Sequence, residues 1–277
     1  MRSMIVWGIA LAGLASGTSL ERVGRFEAAA IREASGIVRS RRHADTYWVH
    51  NDSGNPPALF AVRRNGQLIR SYRVAAPNLD WEDIAADDDG NLYIGEIGNN
   101  DLRLSVRAIY RIAEPDPTRP SDDAIPLASA TYFRYPDKDR FDAEALFISG
   151  GRAFLIAKRS DKLDAALYSV PLDPPAPVGH PVTAKRVGTL PGCTEPVTGA
   201  DLSPDGQLLA VVTNSVVRVY RDQASKRWGL SRIVAFQAKD VEGICWDGMD
   251  LILASEDRSL YRIAEKTWRA DPGAGRR

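Results

Sequence analysis

Acidic residues recur in pairs at the start of short apolar segments, with one residue between the two acids. The pairs are Asp80 and Glu82, Asp142 and Glu144, and Asp240 and Glu242. A carboxylate can ligate a hard cation such as Ca²⁺, which takes roughly six to eight oxygen ligands, or act as a general acid or base. Like charges held close together raise one another's pKa or recruit a cation. The pairs predict an acidic site if the fold brings them together.

The spacing of these segments indicates which elements carry the acids. Two altered copies of the segment read Ser35-Gly36-Ile37 and Val197–Leu202. Aligning Ser35, Glu82, Glu144, Ala200 and Glu242 gives intervals of 47, 62, 56 and 42 residues, which are typical of propeller blades. All copies except the first precede a glycine turn suited to a hairpin, at Asp89-Gly90, Gly150-Gly151, Asp205-Gly206 and Asp247-Gly248. The sequence therefore predicts an all-β propeller.

Counting apolar segments predicts five four-stranded blades. The last unit, from Val241, has only three strands, and residues 20–26 supply one more apolar segment. If that N-terminal strand pairs with residues 260–264, the ring closes and no sheet edge is left unpaired. The alternative of six blades needs strands in the proline-rich segments 114–126 or 171–181, which are typical of loops.

The ends of the chain differ in composition from the predicted propeller of residues 18–270. Residues 1–17 combine a basic residue, an apolar segment and small residues, as a signal peptide does. We expect export to the periplasm or beyond, since the apolar segment is shorter than the roughly 18 residues of a membrane span. After its removal we expect a monomer with no membrane span. Residues 271–277 are predicted to be a disordered tail.

The charge content limits the classes of molecule that the protein is expected to bind, and the cysteine content limits the possible disulfides. The chain has 36 basic and 36 acidic residues and no long basic segment, which argues against nucleic acid. A small molecule or a component of the cell envelope is the expected ligand. Cys193 and Cys245 are the only two cysteines, and in an exported protein they either form one disulfide or remain two buried thiols.

In a propeller, the starts of the inner strands and the loops after the second strands share one face, at one mouth of the central channel. The predicted metal ligands are Glu82, Asp142, Glu144, Asp201 and Glu242. The candidates for general acid or base are Glu82, Asp83, Glu144 and Glu242. The loops offer substrate contacts from Asn51, Asp52, Asn99, Asn100, Lys158, Arg159 and Asn214. Alternatively, the acids cap backbone amides where the strands begin.

These segments resemble a known group. The pattern Ser35-Gly36-Ile37, Trp81-Glu82-Asp83-Ile84, Asp142 to Leu146 and Val241 to Ile244 is similar to secreted bacterial propellers called esterase-like activity of phytase. More distantly it resembles calcium-dependent lactonases and phosphotriesterases of the gluconolactonase and paraoxonase types. That resemblance implies a calcium ion in the channel and hydrolysis of an ester, lactone or phosphoester bond. The alternative is a non-catalytic propeller that binds a cell-envelope ligand or protein.

Overall fold

The fold is taken from a computed structural model that describes residues 20–120, 123–136, 142–158, 161–224 and 227–270. The predicted signal peptide and the predicted C-terminal tail lie outside the described residues. Within the described ranges, no helix is long and apolar enough to cross a membrane.

The described chain forms five four-stranded antiparallel blades. After β1 (Glu21–Arg25), blade 1 consists of β2 (Ala34–Arg39), β3 (Tyr47–Asn51), β4 (Ala58–Val62) and β5 (Leu68–Arg73). Blade 2 consists of β6 (Trp81–Ala86), β7 (Asn91–Glu96), β8 (Arg107–Ala113) and β9 (Ser129–Arg134). Blade 3 consists of β10 (Asp142–Ser149), β11 (Arg152–Lys158), β12 (Ala165–Pro171) and, after the short β13 (Val182–Thr183), β14 (Lys185–Leu190). The strand β13 adds to the outer edge of blade 2 in parallel with β9.

Blade 4 consists of β15 (Val197–Leu202), β16 (Leu208–Thr213), β17 (Val216–Ala224) and β18 (Arg227–Ala235). Blade 5 consists of β19 (Val241–Asp247), β20 (Asp250–Ser255) and β21 (Ser259–Ile263), with β1 as its fourth strand, and a short helix α1 (Glu265–Trp268) follows. The predicted five-bladed propeller is confirmed. The six-bladed alternative is wrong, because the described parts of segments 114–126 and 171–181 contribute no further blade.

The N-terminal strand closes the ring, as predicted. Glu21 lies opposite Arg262 and Arg25 lies opposite Ser259 in the antiparallel pairing of β1 with β21. The next residue, Phe26, is fully buried, and its amide donates to the carbonyl of Arg258 at 2.8 Å. Strand β21 is therefore paired on its outer side by β1. Without β1, strand β21 would expose a row of unpaired backbone groups.

Aromatic and aliphatic side chains between blades form the core. Tyr110 and Tyr220 on third strands are buried, as expected of residues that pack between blades. Phe147 stacks on Phe154 with ring centroids 4.9 Å apart. Gly90, one of the predicted turn glycines, has a φ of 80°, a conformation that residues with a Cβ rarely adopt.

Each inner strand carries a β-bulge near its start, which defines one equivalent position in every blade. The bulged residues are Ser35, Glu82, Glu144, Thr198 and Glu242. The alignment of Ala200 with the three glutamates is therefore wrong by two residues. A shift of two leaves the alternation of faces along a strand unchanged, so the apolar pattern could not detect it. What identifies Thr198 is the register of β15 against β16, in which Val197 lies opposite Thr213 and Gly199 lies opposite Val212.

The two cysteines are free and buried. Cys193 packs in the core that contains Leu190, whereas Cys245 packs in the core that contains Ile252. Burial raises the pKa of the Cys193 thiol to about 11, so this thiol stays protonated at neutral pH. Of the two alternatives, the structure shows the buried thiols and not the disulfide.

Candidate functional site

A repeated hydrogen bond sets the geometry of one channel mouth. The amides of Asp52, Gly98 and Glu256, in the loops after second strands, each donate to the carbonyl of an acid two residues before a bulge. The pairs are Asp52 to Glu33 at 2.9 Å, Gly98 to Asp80 at 3.2 Å, and Glu256 to Asp240 at 2.9 Å. This bond brings loops and inner strands together on one face, as the sequence predicts.

Around this mouth, which we call the acidic mouth, the strand register defines three equivalent positions per blade. Two residues before the bulge lie Glu33, Asp80, Asp142, Pro196 and Asp240. The loop position opposite these residues, at or directly after the end of the second strand, is occupied by Asp52, Ile97, Lys158, Asn214 and Glu256. Together with the bulged residues, these positions carry many acids and one cation, Lys158.

Two groups of carboxylates meet at Glu82. One group contains Asp52, Asp80 and Glu82, and the other contains Glu82, Asp142 and Glu144. In each group the three residues offer oxygen atoms that lie within 4.8 Å of one another. Neither group contains histidine or cysteine, so the donor set suits a hard, oxygen-binding cation and not zinc.

Glu82 has hydrogen-bonding capacity that the protein leaves unused. Its side chain is on a residue only 5 % exposed, and Oε1 is buried without a hydrogen-bond partner. Burial raises the pKa of Glu82 well above its usual value, and the charges of Glu144 and Asp52 raise it further. A buried carboxylate without a partner is costly, which is why such groups take up a proton or a cation.

The backbone around Asp80 is held by a neighbouring acid. Glu96 accepts hydrogen bonds from the amides of Leu79 at 2.9 Å and Asp80 at 2.7 Å. Asn78 donates from its side chain to the carbonyl of Asp52 at 2.9 Å. Glu96 therefore holds the backbone of Asp80 in blade 2, and Asn78 holds the backbone of Asp52 in blade 1.

Gly98 leaves space beside the first group. A Cβ at this position would lie 2.2 Å from Oε1 of Glu82 and 2.5 Å from Oδ2 of Asp80. Real side chains do not tolerate such distances, so only glycine allows both carboxylates to point into this space. The unused oxygen of Glu82 thus faces Asp80 and not the core.

The second group contains a cation of the protein itself. Lys158 lies directly opposite Asp142 in the pairing of β10 with β11, and its Nζ forms an ion pair with Oε1 of Glu144. Burial raises the pKa of Glu144 to about 8, although the charge of Lys158 opposes this shift. On the other side of the mouth, burial and the charge of Glu256 raise the pKa of Glu242 to about 7.

An open cavity of about 380 Å³ adjoins the first group. Its lining includes Asp80 and Ser53, together with the predicted contact residues Asn99 and Asn100. Leu79 and Leu104 also line it, and they are 62 % and 47 % exposed. A ligand in this cavity would contact both an acid of the first group and an apolar rim.

Several predicted site residues serve other purposes. Asp83 is fully buried and accepts backbone hydrogen bonds from Leu146 at 2.8 Å and Ala200 at 3.3 Å, which ties blade 2 to blades 3 and 4 across the channel. Asn51 accepts from the amide of Arg32 and donates to the carbonyl of Ala30, so it holds a loop. Asp83 therefore matches the capping alternative, whereas Asn51 holds the loop that precedes β2.

Asp201 does not reach the acidic mouth. It lies near the other end of β15, where it accepts from the amide of Trp246 at 2.8 Å and lines a cavity with Ser203 and Gly206. Its assignment to the same ligand set followed from the misplaced Ala200. Asn214 is exposed at the loop position of blade 4, and Arg159 lies outside the described residues.

Two residues of the site, Asp80 and Arg107, were not among the predicted metal ligands or contact residues, although Asp80 was recognised as the acid paired with Glu82. Asp80 is a member of the first group, and its spacing from Glu82 equals that of Asp142 from Glu144, which was the available signal. Arg107 is 3 % exposed, and the charges of Asp142 and Asp80 act on it. No local pattern distinguishes this arginine from those on the surface.

Trp81 packs and does not form the floor of a pocket. It is fully buried, and its indole nitrogen donates to the carbonyl of Pro77 at 2.8 Å. Its ring packs edge to face against the ring of His50, with the ring centroids 5.6 Å apart. His50 is itself fully buried, and burial lowers its pKa to about 4. Neither ring offers a reactive group to the mouth.

No protein-family model matches the chain, and no curated protein matches it. Among solved structures, the chain is similar to hydrazine synthase of Kuenenia stuttgartiensis at 10 % identity, with a TM-score of 0.46 over 84 % of this chain and 72 % of that one. It is similar to a catalytically inactive virginiamycin B lyase from Staphylococcus aureus with quinupristin at 15 % identity, with a TM-score of 0.42 over 83 % and 65 %. A third likeness is the Dos1 propeller, at 10 % identity and a TM-score of 0.43 over 90 % and 72 %. These likenesses concern the fold and assign no activity, so the resemblance to phytase-associated and lactonase propellers stays a prediction.

Proposed function

We propose that this propeller binds Ca²⁺ at the acidic mouth and hydrolyses an ester, lactone or phosphoester bond of a small molecule. The observation that carries the proposal is Oε1 of Glu82, which is buried, has no hydrogen-bond partner and belongs to two groups of close carboxylates. A cation would supply the missing partner and offset the repulsion between the acids.

The residues at the mouth fit a hard cation. Three carboxylates offer up to six oxygens, Ser53 and Asn99 lie beside them at the cavity, and water can complete the coordination. The cavity beside Asp80 leaves one side of the first group accessible to a substrate. A purely structural ion would be enclosed by protein ligands instead.

The chemistry requires a polarised substrate oxygen and a base for water. When bound, the cation would act as a Lewis acid toward the substrate oxygen. Glu242 is the candidate base, because its pKa of about 7 lets it exchange protons at neutral pH. The charge of Glu242 interacts with that of Glu144 and with that of Asp52. These three acids therefore surround one space.

Metal content tests the first half of the proposal. Protein purified without chelator is analysed for bound elements, and thermal melts are recorded with CaCl₂ and with EDTA. We expect bound calcium and a higher Tm with CaCl₂, because a ligand that binds only the folded state stabilises it. Superimposable melts and no bound metal would contradict the proposal.

Turnover tests the second half. The purified protein is assayed with aryl esters, lactones and phosphoesters, with Glu82→Gln and Glu242→Gln as variants. We expect calcium-dependent hydrolysis in the wild type, loss of calcium dependence in Glu82→Gln, and retained calcium binding with at least roughly hundredfold lower kcat in Glu242→Gln. Equal kcat in Glu242→Gln and wild type would remove the glutamate from the proposed mechanism.

A second candidate is a non-catalytic propeller that binds a cell-envelope ligand or protein. The exposed Leu79 and Leu104 at the rim of the cavity favour it, because apolar rims are common at binding surfaces. Calcium binding without turnover of any substrate in the panel would support this candidate over the hydrolase.

We also propose that the protein is exported and monomeric. The composition of residues 1–17 supports export. Fractionation of cells that express the full chain should find the protein outside the cytoplasm, and sedimentation should give the mass of one chain. A cytoplasmic protein that keeps residues 1–17 would contradict the export proposal.

A further inference from the structure

The two carboxylate groups differ in their counter-charge. Lys158 has a side chain 33 % exposed, and the charges of Asp142, Glu82 and Asp52 interact with its own, but its ion pair is with Glu144 of the second group. Across the described part of the chain, no other lysine or arginine forms an ion pair with a member of either group. Arg107 acts on Asp80 and Asp142 alike, so it does not distinguish the groups.

This asymmetry originates in the strand register. The loop position that holds Lys158 in blade 3 holds Ile97 in blade 2 and Asp52 in blade 1. At this place, blade 3 therefore supplies a cation to the second group, blade 1 supplies a carboxylate to the first group, and blade 2 supplies no charge. The second group has an ammonium beside its three acids, while in the first group the residue from this position, Asp52, is itself one of the three acids.

The first group has the features of a ligand set for a cation. Oε1 of Glu82 is buried without a partner, and together with Oδ2 of Asp80 it lies where Gly98 has no side chain. Asp80 borders the open cavity, which gives a cation access from solvent. The unused oxygen is a separate observation from the clustering of acids, and it points to a missing positive partner.

We propose that Lys158 is a built-in counter-ion that fills the second group, so that the protein binds one divalent cation, held by Asp52, Asp80 and Glu82. It follows that removing the charge of Lys158 opens a second cation site at Glu82, Asp142 and Glu144. This inference rests on the proposed calcium binding and adds the location, the stoichiometry and the residue that limits it.

The experiment measures stoichiometry on the full chain. Chelator-stripped protein is titrated with CaCl₂ by calorimetry, and bound calcium is measured after equilibrium dialysis. We expect one ion per chain for wild type, two for Lys158→Gln and one for Lys158→Arg, which retains the charge. Lys162→Gln, an exposed lysine of the same loop, is the matched control and should bind one.

Two ligand variants locate the ion in the wild-type background. Asp52→Asn should lose calcium binding, whereas Asp142→Asn should still bind one ion, because its group is occupied by Lys158. These variants decide the location even if Lys158→Gln does not fold, which circular dichroism would reveal.

Each remaining outcome is decisive. One ion in a folded Lys158→Gln, two ions in wild type, or loss of binding in Asp142→Asn with binding kept in Asp52→Asn would overturn the inference and leave calcium binding intact. No ion in wild type would instead refute the proposed calcium binding itself, and this inference with it.

Discussion

The two ends of the channel contain similar cavities with different chemistry. At the end formed by the glycine turns, which we call the turn face, several aspartates line a cavity of about 380 Å³. Acids and amides line the cavity at the acidic mouth. At the turn face, Asp87 accepts from the amide of Asn91 and the hydroxyl of Tyr93, both at 2.8 Å. Asp201 accepts from the amide of Trp246. Both acids therefore have partners supplied by the fold.

At the acidic mouth, Glu82 lacks such a partner for Oε1. The number of acids is thus a poor guide to a binding site, because most buried polar groups in proteins are satisfied internally. What separates Glu82 from Asp87 and Asp201 is a buried carboxylate oxygen that has no hydrogen-bond partner.

Removal of the closing strand should disturb both ends at once. A chain that starts after Phe26 lacks β1 and a fully buried phenylalanine, whose loss alone costs about 3–5 kcal/mol of unfolding free energy. We expect a large fall in Tm and loss of calcium binding. The control is a chain that starts at Leu20, which keeps β1. Equal denaturant midpoints for the two chains would show that closure contributes little.

Glu82→Gln should abolish the response to calcium. At a calcium concentration about 1,000 times Kd, the wild type gains about 4 kcal/mol of unfolding free energy, and the variant should gain almost none. Asp87→Asn is the control from the turn face. It should lower the unfolding free energy without changing the response to calcium. Melts with and without CaCl₂ measure both. If Asp87→Asn loses the response as well, the distinction between the two ends fails.

Asp201→Asn should give a pH-dependent gain in stability. Burial raises the pKa of Asp201 from 3.8 to about 6, so in wild type the folded state is favoured by protonation below pH 4 and loses up to about 3 kcal/mol as the pH rises past 6. The asparagine variant does not ionise. Its unfolding free energy relative to wild type should therefore rise between pH 4 and pH 7.

Asp205 on the same face serves as a control of opposite sign. A hydrogen bond from Ser203 lowers the pKa of Asp205, so its ionised form favours the folded state. The unfolding free energy of Asp205→Asn relative to wild type should therefore fall as the pH rises through the acidic range up to about 4, and it should stay nearly constant between about pH 5 and pH 7, where Asp205 is ionised in both states. Denaturant titrations at several pH values check both variants, and a flat difference for Asp201→Asn would refute the raised pKa.

The blades could be predicted because their signals are local. Each signal lies within a few residues of the element that it defines. This holds for the apolar segments, for turn glycines such as Gly90, and for the N-terminal strand predicted at residues 20–26. The site was predicted in part. Glu82, Asp142 and Glu144 do meet, whereas Asp201 does not join them.

By itself, the sequence determined the repeat, the number of blades and the closing strand, because periodicity and turn chemistry act over short distances. Only the tertiary structure decided which acids are satisfied. Asp83 finds its partners 63 and 117 residues away, at Leu146 and Ala200. Glu82, one residue earlier, finds none for Oε1, because the bulge turns it toward Gly98 and Asp80. Hydrogen-bond satisfaction depends on groups that fold together from distant blades, and no local pattern encodes it.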